Sequence, residues 1–334
     1  MPVRVALICP APPGSRLGNR ITALRWQRIL RELGHRAFIA TGNPSRDFDA
    51  MIALHARKSA EAVRASRQTH PRRPVAVALT GTDLYHDIHH DLAAQRSLQL
   101  ADWLIVLHSG ARRELPLRLR RKVRLVPQSA LEVRRKPPPA ADTFDVAVVA
   151  HLRKVKDPLR TARAARLLPA DSRIRVLHAG RGLSDEMKRD ALLEQHANPR
   201  YRWLGELPGW KARALIARSR LLAVTSEMEG GANVVSEALA AGTPVIASRI
   251  PAMEAILGRS YPGLFPLGST EALARLLARA EREPAFLAEL RRRCHARRGV
   301  VSPAREKAAL RGLLVELGRQ VRTGRASSRL RKEA

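Results

Sequence analysis

The stretch Leu221–Ile250 reads LLAVTSEMEGGANVVSEALAAGTPVIASRI and permits few folds. Leu221–Thr225 is an apolar run of strand composition, and Ser226–Gly231 is a turn. Ala232–Ala241 carries apolar residues at helical spacing, with Gly242 as a stop and Thr243–Ala247 as a second strand. A strand–loop–helix–strand unit favours parallel strands joined by a right-handed crossover. Parallel sheets bind ligands outside the carboxyl ends of their strands, which is where Ser226–Gly231 falls.

The turn has the chemistry of an anion site. Gly230 and Gly231 lack a Cβ, so a ligand can approach the backbone closely. The helix that starts beside them offers unpaired N–H groups and the positive end of its dipole. Glu229 stands at the helix mouth, and Glu237 lies about two turns on, able to face the same side at ~100° per residue. Two carboxylates do not suit a phosphate. They suit the hydroxyls of a sugar beside it, so the unit reads as a nucleotide-sugar site. The plainer alternative is a structural helix with solvated glutamates.

With 334 residues, the chain is longer than one core usually serves, and two domains are expected. No apolar run approaches the ~20 residues of a membrane span. The two cysteines, Cys9 and Cys294, suggest neither a disulfide scaffold nor a zinc site, and a reducing, cytoplasmic setting is expected. The net charge of +31 invites nucleic acid, but aromatics make up only 4% and no nucleic-acid motif is present. No specific nucleic-acid partner is expected. Arginine on solvated helix faces accounts for the charge, with non-specific polyanion binding at low salt.

Along the chain, Val3–Cys9, Arg36–Ala40, Ala50–Leu54, Val75–Leu79, Trp103–Val106 and Val123–Val126 read as strands alternating with helices. A second alternating set begins with Phe144–Ala150 and continues through Ile174–Ala179 and Tyr201–Leu204. The pattern predicts an α/β chain of two Rossmann-like, doubly wound parallel-sheet domains. The expected divisions are 1–130, a proline-rich linker at 131–142, 143–300, and a C-terminal helix and basic tail at 301–334, frayed from Gly318.

Three strand ends carry candidate chemistry. After the first strand, Gly14, Arg16, Asn19 and Arg20 form a loop suited to a small oxyanion, with a turn carrying solvated arginines as the alternative. After Val75–Leu79, the hydroxyls of Thr80 and Thr82 and the carboxylate of Asp83 suit substrate positioning. After Phe144–Ala150, Arg153 and Lys156 in HLRKVKDP can neutralise a leaving diphosphate. A helix is expected from His55 to Gln68, with His55 as a capping, packed or site residue. Asp47 and Asp49 form a D-x-D sequence, but it precedes a strand. His86, His89, His90 and Asp91 lack a second ligand cluster. Neither group is expected to bind metal, and no cofactor is expected.

EGGANVVSE followed by AAGTPVIAS resembles the E-x7-E region of the family-4 glycosyltransferases, which have the GT-B fold of two domains facing a cleft. The resemblance implies that Glu229 contacts the transferred sugar and Glu237 the nucleotide ribose. The loop amides of Gly230, Gly231, Ala232, Asn233 and Val234 would hold the diphosphate. Lys156 matches the lysine of the family's G-R-L-x-x-x-K-G segment. His151 stands where its arginine is expected, with Arg153 as a substitute, so Arg153, Lys156 and Glu229 are the catalytic candidates. Leu204–Leu207 resembles the turn near the base.

GSRLGNRITALRW, MIALHARKSA, LTGTDLYHD, AHLRKVKDPLRTA, NPRYRWLGE and EMEGGANVVSEAL together resemble the selenosugar synthases of selenoneine biosynthesis. The chain departs from them at Ala150, where glycine is expected, and at IPAMEAILG, where a Gly-Asn pair is usual. This resemblance implies transfer of N-acetylglucosamine or glucose from a UDP-sugar to the selenium of selenophosphate. Gly14, Arg16, Asn19, Arg20, Thr80, Thr82 and Asp83 would then lie on the acceptor side. The alternatives are a family-4 enzyme with an oxygen acceptor and an arginine-rich polyanion-binding protein.

Overall fold

The computed structural model describes residues 2–133 and 136–330, the side chains of 323–330 excepted. Arg134 and Arg135 of the expected linker and residues 331–334 of the expected tail lie outside the described residues. The chain forms two units. One runs through Gln128 and takes in the segment from Ala304 onward. The other is Ser129–Pro303. Residues 301–334 were expected to stand apart as a helix and tail.

The first unit runs β1 (Arg4–Ile8), α1 (Gly18–Glu32), β2 (Arg36–Ala40), β3 (Ala50–Leu54), α2 (Ala60–Thr69), β4 (Val75–Ala78), α3 (Ile88–His90), α4 (Leu92–Leu100), β5 (Trp103–Val106) and β6 (Val123–Leu125). Its parallel sheet has the order β2-β1-β3-β4-β5-β6. Strands covered on both faces need no polar alternation, and all residues of AMIAL and VAVA are buried. The two-residue period sends Val5 and Leu7 into one core with Trp26 and Leu30, and Ala6 and Ile8 into the other with Val63 and Leu98.

The second unit runs β7 (Phe144–Val149), α5 (Arg160–Arg166), β8 (Ile174–Ala179), α6 (Asp185–Ala197), β9 (Tyr201–Trp203), α7 (Gly209–Arg218), β10 (Leu221–Val224), α8 (Asn233–Ala241), β11 (Val245–Ser248), α9 (Pro251–Leu257), β12 (Leu264–Phe265), α10 (Thr270–Arg282) and α11 (Pro284–Ala296). Its parallel order is β12-β11-β10-β7-β8-β9. Strand order reverses between β7 and β10, so the loops leaving these two strands flank a topological switch point. The doubly wound α/β class expected from the sequence is the one observed.

Three local expectations change. His55 does not begin a helix. It takes a left-handed conformation at φ 76°, and α2 starts at Ala60. Thr243 is not in a strand, because its N–H and hydroxyl donate to the carbonyls of Ala238 and Ile216. The segment from Gly318 is not frayed through its length, for α12 (Pro303–Leu330) continues across it. Leu310, Leu313, Leu314 and Leu317 of α12 are buried in the core that holds Trp26. Such burial contributes roughly 1.5–3 kcal/mol per side chain.

The first turn of α12 is held by Glu306, which is fully buried. It accepts from the Trp26 indole at 2.8 Å and pairs with Arg25 at 2.9 Å. Removing one partner of a buried pair strands the other. Glu306→Ala is therefore expected to cost about 3 kcal/mol of unfolding free energy and Glu306→Gln less, read from urea unfolding followed by tryptophan fluorescence.

Candidate functional site

Two loops interlock at the switch point of the second unit. After β7, Leu152 pairs with Gly182, Lys154–Lys156 makes one tight turn, and Asp157 turns left-handed at φ 39°. After β10, the Thr225 hydroxyl donates to the Asp157 carbonyl at 2.7 Å, and the Glu227 amide donates to the Val155 carbonyl at 3.0 Å. These bonds set the height of Lys156 against Glu229. The Lys156 ammonium donates to Glu229 Oε1 at 2.6 Å, and the Ser226 hydroxyl donates to the same oxygen at 2.7 Å. The Glu229 side chain is 10% exposed and that of Lys156 24%. Two residues predicted separately are thus in direct contact.

Gly230, Gly231 and Ala232 are buried beside them. The left-handed residue of this turn is Ala232, at φ 48°, and not a glycine. A left-handed L-residue costs about 1–2 kcal/mol. Here it turns the chain into α8, whose first turn has no acidic residue and whose N-cap makes no side-chain bond. The helix start can therefore receive an anion. Asn233, Val234 and Glu237 are half-buried on the first turns of α8. Arg153 is half-buried and makes no side-chain bond among the described residues, and His151 Nδ1 accepts from the Arg181 amide at 3.1 Å.

The sequence reading missed the support behind this turn. His178 is buried under it, donating from Nε2 to the Ala150 carbonyl at 2.9 Å and accepting at Nδ1 from Tyr201 at 2.7 Å. Burial pushes its pKa down to about 4. A Cβ at Gly180 would lie 1.7 Å from the Ala150 carbonyl oxygen, so only glycine fits between the β7 and β8 ends. The glycine-flanked sequence AGRG after β8 was the available signal.

In the first unit, Gly14 has φ 78° and is exposed, as is Arg16, while Asn19 and Arg20 are half-buried at the start of α1. Ser15 Oγ and Arg20 Nε are buried without a hydrogen-bond partner among the described residues. Burial raises the Cys9 thiol pKa, while the Ala11 carbonyl and Arg20 oppose the rise.

Asp83 does not fit the contact role expected for it. It is fully buried, with Oδ1 accepting from the Thr80 and Gly81 amides at 2.8 and 2.9 Å and Oδ2 from the Ala56 amide at 2.9 Å. With its oxygens taken by backbone donors, it shapes the loop instead of meeting a ligand. Thr80 leans on Asp83, and the Thr82 hydroxyl lies 3.2 Å from His55 Nε2. Asp47 and Asp49 are both paired with Arg4. Among the described residues, no group of three or more side chains is arranged to hold a metal ion, and His86, His89 and His90 are exposed.

Residues 130–298 match the family model described as glycosyl transferases, group 1. No curated protein sequence matches the chain. Among solved structures, the HepE protein of Anabaena in complex with UDP and glucose is 14% identical, with a TM-score of 0.75 over 94% of this chain and 100% of that one. Sucrose-phosphate synthase of Thermosynechococcus elongatus is 17% identical, with a TM-score of 0.75 over 94% and 99%. The α,α-trehalose 6-phosphate synthase of Burkholderia multivorans is 12% identical, with a TM-score of 0.71 over 100% and 99%. At these identities the likeness is one of fold, the GT-B class. No helix among the described residues is long and apolar enough to cross a membrane.

A pH dependence follows from two histidines. Burial holds both His178 and His108 down at about 4, against about 6.5 in an unfolded chain. As pH falls through 6.5, the unfolded chain takes up protons that the native state refuses until near 4. Stability is therefore present above pH 6.5 and lost between 6.5 and 4, by up to about 1.4 kcal/mol per pH unit for each histidine. Urea midpoints from pH 7.5 to 4.5 are expected to show this slope, with a smaller slope in His178→Gln.

Proposed function

The chain belongs to the group 1 glycosyl transferases, and from that premise we propose that it moves a hexose, N-acetylglucosamine or glucose, from a UDP-sugar to the selenium of selenophosphate. The observation that carries the donor half is the Lys156–Glu229 contact beside the uncapped start of α8. It places a cation, a carboxylate and a set of helix amides at one strand edge. The amides of Gly230–Val234 take the diphosphate, and Glu237 accepts from the ribose. Glu229 accepts from the transferred sugar, while Lys156 and Arg153 stabilise the departing UDP. An arriving diphosphate competes with Glu229 for the Lys156 ammonium. Solved structures of the same fold, such as HepE with UDP and glucose, support a UDP-sugar donor.

The selenium half rests on the resemblance of the six quoted segments and on the Gly14–Arg20 loop. There, a buried hydroxyl on Ser15 and the buried Nε of Arg20 have no hydrogen-bond partner among the described residues. Such groups favour a small oxyanion that accepts from both. Selenium forms its bond to C1 as the bond from C1 to UDP breaks, and later hydrolysis of the P–Se bond consumes one water and yields phosphate. Selenium is nucleophilic enough that orientation and leaving-group stabilisation suffice. The proposal includes no metal.

Glu237→Ala is expected to weaken UDP binding by roughly 1.5–3 kcal/mol, the worth of a charge-assisted bond, whereas Glu229→Ala lowers turnover more than UDP affinity. Calorimetry with UDP and steady-state rates separate the two. Wild-type behaviour in both variants would remove the donor assignment.

The acceptor is read from UDP release in excess EDTA with a panel of acceptors. Turnover with selenophosphate, and a raised KM for it in Arg16→Lys or Arg20→Lys, is the expected result. Turnover only with a sugar or lipid hydroxyl would make the chain an ordinary family-4 enzyme. Salt-sensitive RNA binding without turnover would make it a polyanion-binding protein.

A further inference from the structure

The edge strand β9 borders a cavity of about 410 Å³, with β7 and β8 between it and the switch point. Arg202 is paired in register with Leu177, and Arg175 lies two residues before Leu177, so all three share one face of the sheet. Arg218, in the last turn of α7, and Gln195, near the end of α6, complete the polar lining.

The lining is rich in donors. Arg175 is held by both oxygens of Asp145, at 2.9 and 3.0 Å. The side chains of Arg202 and Arg218 make no hydrogen bond or ion pair among the described residues. Gln195 spends its carbonyl on the Trp203 amide at 2.8 Å and keeps its NH2 group for another acceptor. Asp145 is thus committed, and two exposed guanidinium groups stand uncompensated in a concave surface floored by Leu177 and Leu204. Like charges repel, and a concave low-dielectric wall strengthens their field toward an anion. The volume falls within the roughly 300–1,000 Å³ of small-molecule sites.

We propose that this cavity is a second anion site, separate from the donor loops, for a small organic phosphate. The guanidinium groups of Arg202 and Arg218 grip the phosphate, Gln195 donates to it, and the apolar floor carries the organic part. The proposal does not depend on the identity of the acceptor. Free phosphate and phosphate esters share the same charged group, and the apolar floor separates them by favouring an ester.

The test is calorimetry with glucose 6-phosphate, inorganic pyrophosphate and inorganic phosphate at constant ionic strength, with UDP in excess to occupy the donor loops. One equivalent of glucose 6-phosphate is expected to bind the wild type more tightly than inorganic phosphate does. The double variant Arg202→Gln/Arg218→Gln is expected to weaken this by about tenfold or more. Arg213→Gln is the control, an exposed arginine of α7 outside the lining. No binding by the wild type overturns the proposal. So does a double variant that binds as well as wild type, or an equal loss in Arg213→Gln, which would mean diffuse surface charge.

Discussion

A lysine ammonium 2.6 Å from a mostly buried carboxylate joins two loops whose residues lie 73 positions apart. The loops at this strand edge are laced together around that contact. It closes the ends of β7 and β10 on each other, and the bonds from Thr225 and Glu227 consume loop carbonyls that the sheet leaves unpaired. Such a pair adds little net stability, because desolvation offsets most of its attraction. Its value lies in placing a cation and an acceptor side by side at a point where a parallel sheet already opens toward a ligand.

The same edge also holds strain and close approach. Ala232 and Asp157 are both left-handed without being glycine, and Gly180 lies against the Ala150 carbonyl where no side chain fits. Conformations of this kind persist only where the surroundings over-determine them. Here the surroundings are the lacing of the two loops above and the His178–Tyr201 pair below. The helix amides of α8 are aimed by Ala232, and Ala232 is held by the strands on either side of the switch point.

The charge of +31 becomes less puzzling once the arginines are followed to their partners. Many close the open carbonyl ends of helices. Arg200 donates to the Ala165 and Leu168 carbonyls at the end of α5, Arg297 to Ala255 and Ile256 at the end of α9, and Arg298 to Leu239 in α8. Arg67 donates to Leu100 at the end of α4. A guanidinium near a helix C-terminus satisfies free acceptors and complements the dipole. Part of the excess therefore has a structural explanation without a nucleic acid.

Periodicity and apolar runs were enough to read nearly every strand, the alternation with helices and the doubly wound class, because buried parallel strands leave an unambiguous local mark. The two-residue strand β12 left too short a run to be read. Glycines and charged residues at strand ends drew attention to Glu229, Lys156 and the Gly14–Arg20 loop as candidates. Their pairing was not legible. That Lys156 reaches Glu229, that Asp83 is consumed by backbone amides, and that His178 and Gly180 underlie the turn after β7 depend on which strand ends become neighbours. Likewise, Leu310–Leu317 reads as one apolar helical stripe. Its packing against Trp26 and Leu30, with the buried Glu306 reaching Trp26 and Arg25 about 280 residues earlier, assigns that stripe to the first unit. Local pattern decides which residues must be buried. The choice of partner is made by long-range packing, where a buried charge or a missing Cβ admits one neighbour and excludes the rest.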